Sequence, residues 1–306
     1  MEFLSTKFVT DYVKDNPKPL NELGEFTYLR TYSRWLKSHG RREYWHETVK
    51  RSIEYNTALE YKHMRDNGFK PDVKRMSHEA KELFKNIYNA KQFPSGRTLW
   101  IGNGNEKVNK DFVMGNFNCS FTNIEEWKDL KEVFYLLMVG TGVGAKSTKA
   151  MAKKMAKIRT NVNVLHSEYE PVAVEQRLEH TAVKILENGF AKIFIGDSKE
   201  GWSEALHEYL RILTEKEFEE IHTVKFSYNS VRPKGEKLKT FGGTASGYEP
   251  LKEMFDGFDD VLKNRIDAHL DPIETDEKGY GHVRPIHILD MCNLIGNNVV
   301  IGGKQV

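Results

Sequence analysis

The chain has 306 residues, with 46 Lys plus Arg against 44 Asp plus Glu and a formal net charge of +2, a balance that excludes nucleic-acid or polyanion binding driven by bulk charge. Hydrophobic residues at 39% and aromatic residues at 11% suffice for a core, which excludes a wholly disordered chain, and the length predicts about two domains. The longest apolar run, Val133 to Val139, is far shorter than the ~20 residues a membrane-spanning helix needs.

The N-terminus, Met1 to Pro17, has early acids and no apolar stretch of signal-peptide type. With only two cysteines, Cys119 and Cys292, no disulfide framework is expected. Together with the charge balance and the short apolar runs, these features predict a cytoplasmic protein with no membrane partner and no direct nucleic-acid partner. Phe26, Tyr28, Leu29, Tyr32, Trp35 and Leu36 suggest an irregular helix. Ser77 opens a segment with Leu83, Phe84, Ile87 and Tyr88 on one helical face. Residues 1–95 therefore read as a mostly helical domain.

Turn-rich Pro94-Ser95-Gly96-Arg97 and Gly102-Asn103-Gly104-Asn105 follow, then the strand-like Phe117-Asn118-Cys119-Ser120-Phe121. Asn123 with Glu126 forms a capping-box pattern before a helix whose face carries Trp127, Leu130, Val133, Phe134, Leu137 and Met138, with Gly140 at its end. A cationic stretch without acids holds Lys146, Lys149, Lys153, Lys154, Lys157 and Arg159. A longer helix is predicted from about Val172 to Asn188, a buried strand over Phe190 to Ile195, and a helix capped by Asp197 or Ser198 with Trp202, Ala205, Leu206, Tyr209, Leu210 and Leu213 on one face. Val224, Phe226 and Tyr228 alternate as a strand, and a glycine-rich loop runs from Pro233 to Gly247. A final strand is predicted near Val283 to Leu289, before a strand-like run Gly296-Asn297-Asn298-Val299-Val300-Ile301-Gly302-Gly303. Residues 96–306 thus read as α/β.

Gly140-Thr141-Gly142-Val143-Gly144-Ala145-Lys146-Ser147 departs from a phosphate-binding P-loop at Ala145. That loop needs glycine before the lysine, a strand before it and a helix after it. The preceding periodicity here is helical, so a helix end followed by a tight glycine turn is expected instead.

A lone cysteine is most often a small core residue. Cys119 instead stands among polar neighbours that could hold a ligand. Asn118-Cys119-Ser120-Phe121, Leu136-Leu137-Met138 and Gly140-Thr141-Gly142-Val143-Gly144 together resemble the adenosylcobalamin-dependent (class II) ribonucleoside-triphosphate reductases of the monomeric type. The same likeness extends to Pro94-Ser95-Gly96-Arg97, Leu99-Trp100, Gly196-Asp197-Ser198-Lys199-Glu200-Gly201-Trp202 and Val231-Arg232-Pro233-Lys234-Gly235. It continues through Phe241-Gly242-Gly243-Thr244-Ala245-Ser246-Gly247 and Ile295-Gly296-Asn297-Asn298-Val299-Val300, so that it covers nearly the whole chain in order.

The resemblance implies a helical N-terminal region followed by the first part of a ten-stranded α/β barrel. It implies a radical reaction in which a ribonucleoside triphosphate loses its 2′-hydroxyl, with adenosylcobalamin as cofactor. Cys119 matches the first cysteine of the reducing pair, re-reduced by a dithiol or a thioredoxin-like partner. Ser95, Gly96, Asn118 and Ser120 are the expected substrate contacts, the backbone of Ser95 and Gly96 meeting a phosphate or ribose. The resemblance also implies a deoxynucleoside-triphosphate effector site at about 146–247. Its candidates are Lys146, Lys149, Lys153, Asp197, Ser198, Arg232 and Lys234, against the plainer readings of a solvated basic face and a helix cap. Ala145-Lys146 stands where family members are expected to carry an aromatic residue.

In that family the radical cysteine, the second half of the reducing pair and most of the cobalamin site lie beyond the Gly-Asn-Asn-Val-Val-Ile-Gly-Gly segment. This chain stops three residues past it, at Val306, and Cys292 matches none of those positions. The expectation is a fragment that is inactive alone or completed by a second polypeptide, an interrupted gene being a further origin. The alternative is a non-catalytic deoxynucleotide-binding module or a degenerate remnant. Cys292 is expected to be structural.

Overall fold

The computed structural model describes residues 2–102, 113–237 and 244–302. The predicted Asn103-Gly104-Asn105 turn, the Phe241-Gly242-Gly243 part of the glycine loop and the end from Gly303 lie outside the described residues. The chain forms two compact units, Met1–Asn118 and Cys119–Gln305.

The first unit is built from helices α1 (Thr6–Asp15), α2 (Glu22–Thr31), α3 (Trp45–Asp66), α4 (Val73–Tyr88) and the short α5 (Gly96–Ile101), with a small hairpin of β1 (Trp35–Leu36) and β2 (Arg41–Arg42). The irregular helix predicted through Leu36 therefore ends at Thr31, and Trp35 and Leu36 enter the hairpin. Asp72, not Ser77, opens α4. Its carboxylate accepts the amides of Lys74 and Arg75 at 3.1 and 3.0 Å, and Ser77 lies inside the helix. Val49, Ile53, Met76, Ala80 and Phe84 are buried between α3 and α4. The Phe84 and Tyr88 rings stack at 5.7 Å, fixing the aromatic side of this core.

In the second unit, β3 (Cys119–Asn123) pairs in parallel with β4 (Gly142–Lys146). Helix α6 (Lys128–Met138) connects them. Asn123 belongs to β3 and caps nothing; the carboxylate of Asp129 accepts the amides of Glu125 and Glu126, each at 2.8 Å, and so takes over the role predicted for Asn123. At the other end Gly140 and Thr141 donate their amides to Leu137 and Leu136 at 2.9 and 3.1 Å, as a helix-ending glycine should. Gly142 then opens a strand where a tight turn was predicted. Helix before and strand after is the reverse of the order a P-loop requires.

The main sheet has the order β6-β9-β8-β7, formed by Asn163–His166, Thr223–Ser227, Phe190–Phe194 and Ala182–Leu186. Pairs β6–β9 and β8–β9 are parallel and β7–β8 is antiparallel. The helix predicted over 172–188 is not formed. Its second half is β7, and Asn188 and Gly189, at φ 60° and 72°, turn the chain back into β8. An Asn-Gly pair between β-forming residues is a hairpin signal that outweighs helical periodicity. On one face of the sheet lie α8 (Lys199–Thr214) and α9 (Glu249–Leu262), with α7 (Lys149–Lys154) shorter and apart in sequence. Phe226 of β9 stacks on Phe255 of α9 at 4.0 Å and meets Tyr209 of α8 edge-on at 5.4 Å. A short pair, β5 (Ile158–Arg159) with β10 (Tyr280–Gly281), completes the strands among the described residues. The result is mixed α/β, with the parallel pairs of a barrel wall but no closed barrel among the described residues.

The last described element is a helix, α10 (Pro285–Gly302), where two strand-like runs were predicted. Ile288, Met291 and Ile295 are buried at spacings of three and four and join the core of the unit, so tertiary packing overrides the β-propensity of Val299, Val300 and Ile301. Among the described residues no strand is formed at this point. Among the described residues no helix is long and apolar enough to cross a membrane.

Two buried side chains close open helix ends. Arg159, from the cationic stretch, donates to the carbonyls of Ile212, Phe218, Glu219 and Ile221 at 2.6–2.9 Å and is not a solvated cation. His287, 1% exposed, accepts the Arg284 amide at Nδ1 at 3.0 Å in the first turn of α10. Burial, with Arg284 adding to it, pushes the His287 imidazole down to about 4. The folded chain therefore resists a proton that the unfolded chain takes up below about 6.5. Stability is thus expected to fall by about 2–3 kcal/mol as pH drops from 6.5 to 4. Urea titrations across that range should show the loss, and His287→Gln should flatten it; an unchanged pH slope in that variant would contradict the assignment.

Candidate functional site

Cys119 is the first residue of β3 and lies opposite Gly142 in the parallel register. Strand alternation turns Cys119, Phe121 and Asn123 to one side, all exposed, and Thr122 to the buried side. Phe121, 65% exposed, lies across Gly144, where any Cβ would come within 2.8 Å of its ring. Gly144 thus allows the aromatic side chain to lie flat on the neighbouring strand. Ser120 faces the other way. Its hydroxyl is 3.2 Å from that of Thr141, which donates to the Leu136 carbonyl at 2.9 Å, so Ser120 is tied to the end of α6. Cys119 is a free, exposed thiol at the mouth of a strand pair, a setting open to disulfide exchange.

In the first unit Ser95 caps α5, its hydroxyl accepting the Arg97 amide at 3.2 Å, and Asn118 donates its side-chain amide to the same oxygen at 3.3 Å. Ser95 and Asn118 are therefore brought together although 23 residues separate them. Gly96 follows, against the Tyr32 ring, which would lie 3.1 Å from a Cβ. The far end of α5 is held by arginines. Arg34 Nε donates to the Trp100 carbonyl at 2.6 Å, and Arg51 donates to Leu99 at 2.8 Å and to Gly102. Glu43, 4% exposed, neutralises Arg51 through two bonds of 2.8 and 2.9 Å. Burial, with Arg51 nearby, pushes Arg34 down to about 10. Both arginines are used up in fixing the backbone that carries Ser95.

The second cluster forms where β8 runs into α8. Ser198 caps α8, accepting the Gly201 amide at 2.8 Å. Asp197 does not cap. Its carboxylate accepts Arg232 Nε at 2.9 and 3.0 Å and the Arg232 amide at 3.1 Å, with Arg177 Nη1 at 3.4 Å. Arg177 in turn makes two bonds of 2.8 Å to Glu236. The Glu236 carboxylate raises the Arg177 guanidinium still further above its ordinary value. Four alternating charges thus join the start of α8 to the segment after β9. Sequence reasoning found Asp197, Ser198 and Arg232 but missed Arg177 and Glu236. Arg177 was hidden in the mispredicted helix, and Glu236 lies 59 residues from it.

Lys146, Lys149 and Lys153 are exposed on β4 and α7. Among the described residues no hydrogen bond or ion pair links them to the Asp197 cluster. Lys234 is exposed in the segment after β9. Cys292 lies half-buried on α10 against the core, and burial pushes its thiol up to about 11. Among the described residues no three His, Cys, Asp or Glu side chains group as metal ligands do.

The chain is similar to proteins of one family along most of its length. Residues 4–104 match the ribonucleotide reductase alpha domain, and residues 172–262 match the insertion domain of B12-dependent ribonucleotide reductase. The chain is 30% identical to the adenosylcobalamin-dependent ribonucleoside-triphosphate reductases of Lactobacillus helveticus and Lactobacillus leichmannii, with 99% of this chain and 42% of each relative aligned. A probable enzyme of the same name from Dictyostelium discoideum is 30% identical over 99% of this chain and 37% of that protein. A crystal structure of a B12-dependent (class II) ribonucleotide reductase superposes with a TM-score of 0.76 at 25% identity, covering 98% of this chain and 43% of that one. The chain spans about two fifths of the length of these relatives.

The two thiols should differ sharply in reactivity. A thiol of pKa about 11 is ionised to only about one part in a thousand at pH 8. Ellman's reagent is therefore expected to modify Cys119 fast and Cys292 at least tenfold more slowly, in the order of exposure. Cys119→Ser should remove the fast phase; a remaining fast phase would contradict the burial of Cys292.

Proposed function

Because the chain belongs to the family of adenosylcobalamin-dependent (class II) ribonucleotide reductases, we propose that it forms the N-terminal part of an enzyme converting ribonucleoside triphosphates to 2′-deoxyribonucleoside triphosphates. The observation that carries this reading is the exposed thiol of Cys119 at the head of the parallel β3–β4 pair, within a likeness that runs along 99% of the chain. Its place of action is the cytoplasm.

In this reading Cys119 is one thiol of the reducing pair. The 2′-hydroxyl leaves as water, a hydrogen takes its place, and the two electrons come from two thiols that end as a disulfide. Cys119 supplies one of them, and the other belongs to the part of the barrel beyond the aligned region. A dithiol or thioredoxin-like reductant then attacks the disulfide and restores both thiols. An exposed strand-end thiol suits that step, and the buried, high-pKa Cys292 does not. Adenosylcobalamin, when bound to the complete enzyme, supplies the radical. The resemblance puts most of its site in the part of the relatives beyond the aligned region, so none of the described residues is assigned to the cofactor.

Asn118 and Ser95 share one hydrogen bond and are the substrate contacts this reading favours, with the Gly96 backbone beside them. Ser120 supports the loop by its bond to Thr141 and meets substrate only if that bond opens. For the effector, a deoxynucleoside triphosphate, Asp197, Ser198 and Arg232 form the built part of the site. Lys146, Lys149, Lys153 and Lys234 supply exposed cations for its phosphates. Ribose binding at Asp197 would compete with Arg232. That competition would couple effector occupancy to the segment after β9.

Two measurements test the reading. Titration calorimetry with deoxynucleoside triphosphates should show binding that Asp197→Asn weakens at least about tenfold, the cost of one lost charge-assisted bond. Mixing the chain with a polypeptide carrying the remainder of the barrel, adenosylcobalamin and a dithiol should form deoxynucleotide, and Cys119→Ser should abolish it. Unchanged turnover in that variant would overturn the role of Cys119, and absence of nucleotide binding at millimolar concentration would overturn the effector site.

A further inference from the structure

The main sheet is covered on one face only by the rings and aliphatic side chains of α8 and α9, through Ala191, Ile193, Val224 and Phe226. Its other face carries an unusual row. Lys184 of β7 lies directly opposite Lys192 of β8, and Lys192 lies opposite Lys225 of β9. The next position in the row, on β6, is Leu165. Like charges directly opposite each other across strands are destabilising, and here two such pairs share one residue. None of the three lysines has an ion pair with a described residue. Lys184 is exposed and Lys192 and Lys225 are half-buried; Lys192 lies over the Phe194 ring at 4.8 Å.

The row stands on mixed ground, with buried Thr223 and Ser227 beside Lys225 on the same face. Phe190 and Phe194 flank Lys192 on the same face, both half-buried, and Leu165 is 46% exposed. With strands about 4.8 Å apart, the three ammonium groups span roughly 10 Å. A small polyanion could neutralise them, but it would leave the aromatic and aliphatic side chains on either side in water. A polypeptide that sets carboxylates among apolar side chains matches both components.

We propose that this face of the β6-β9-β8-β7 sheet is a docking surface for an acidic, partly apolar polypeptide segment, with the Lys184–Lys192–Lys225 row as its charge-reading element. The unpaired row costs stability in the free chain and is compensated when carboxylates meet it. The inference stands apart from the reductase reading, because its test reads no turnover and no nucleotide binding.

The test uses the full chain and a short fluorescein-labelled peptide of alternating Glu and Leu, followed by fluorescence anisotropy at low salt. Lys192→Glu turns both repulsive pairs into attractive ones. It is expected to raise the Tm of the free chain by about 2–4 °C. The same variant is expected to weaken the peptide at least about tenfold, as is a peptide with Gln in place of Glu. Lys192→Gln and Lys225→Gln provide milder variants that should weaken the peptide while leaving the far-ultraviolet circular dichroism unchanged. Peptide affinity that is absent, or insensitive to every lysine variant, would overturn the proposal. So would tripolyphosphate binding with the same lysine dependence and tighter than the peptide, which would mark the row as a small-anion site.

Discussion

The ion cluster of Arg177, Asp197, Arg232 and Glu236 is the constraint on which the second unit turns. Asp197 is 9% exposed and Arg177 10% exposed at their side chains, so each charge has surrendered most of its water. Such charges are tolerable only when paired with good geometry, and removing one partner strands another in a poor dielectric. The pairing decides where three pieces of chain go: the segment before β7, the turn from β8 into α8, and the segment leaving β9. Because Ser198 takes the cap of α8, Asp197 is left to hold Arg232. This division of labour makes a carboxylate at a strand end available for something other than ending a helix.

The same economy governs the neighbourhood of Cys119. The parallel pairing of β3 with β4 requires a crossover, which α6 supplies, and Gly140 stops that helix so that β4 can begin. Ser120 is anchored through Thr141 to the end of the crossover helix. Cys119, one residue earlier and on the opposite side of the strand, is therefore exposed on a fixed backbone. In the first unit, Arg34 and Arg51 fix α5 from its carbonyl end and so set the position of Ser95. Cys119 is exposed and Ser95 half-buried, while Thr141 and Glu43, which anchor the supports of their backbones, are buried.

Much of this was legible before any coordinates. The apolar face of α8 follows the spacing of Ala205, Leu206, Tyr209, Leu210 and Leu213, all buried as the periodicity predicts. The alternation of Val224 and Phe226 marks β9, the polar neighbours of Cys119 set it apart, and the family resemblance singles out Ser95 in its turn and Asn118 beside the cysteine. What failed had physical causes. Over 182–194 the Asn188-Gly189 turn commits the chain to a hairpin, a local signal that outweighs the apparent helical repeat. In α10 the β-branched residues favoured a strand in isolation, but burial of Ile288, Met291 and Ile295 on one face favours a helix. The partners of Asp197 were out of reach of any local pattern. Arg177 and Glu236 are joined across 59 residues, and long-range ion pairs leave no periodicity to read.

In the proposed reading, a deoxynucleoside triphosphate and the segment after β9 share the carboxylate of Asp197. The most direct measurement follows the side-chain Nε–H resonances of Arg177 and Arg232 in the labelled chain, assigned with Arg→Lys variants, during titration with each deoxynucleoside triphosphate. The triphosphate that binds is expected to move both resonances together, as Arg232 yields Asp197 to the ligand and Arg177 readjusts against Glu236. Saturable binding that leaves both resonances where they were would contradict it.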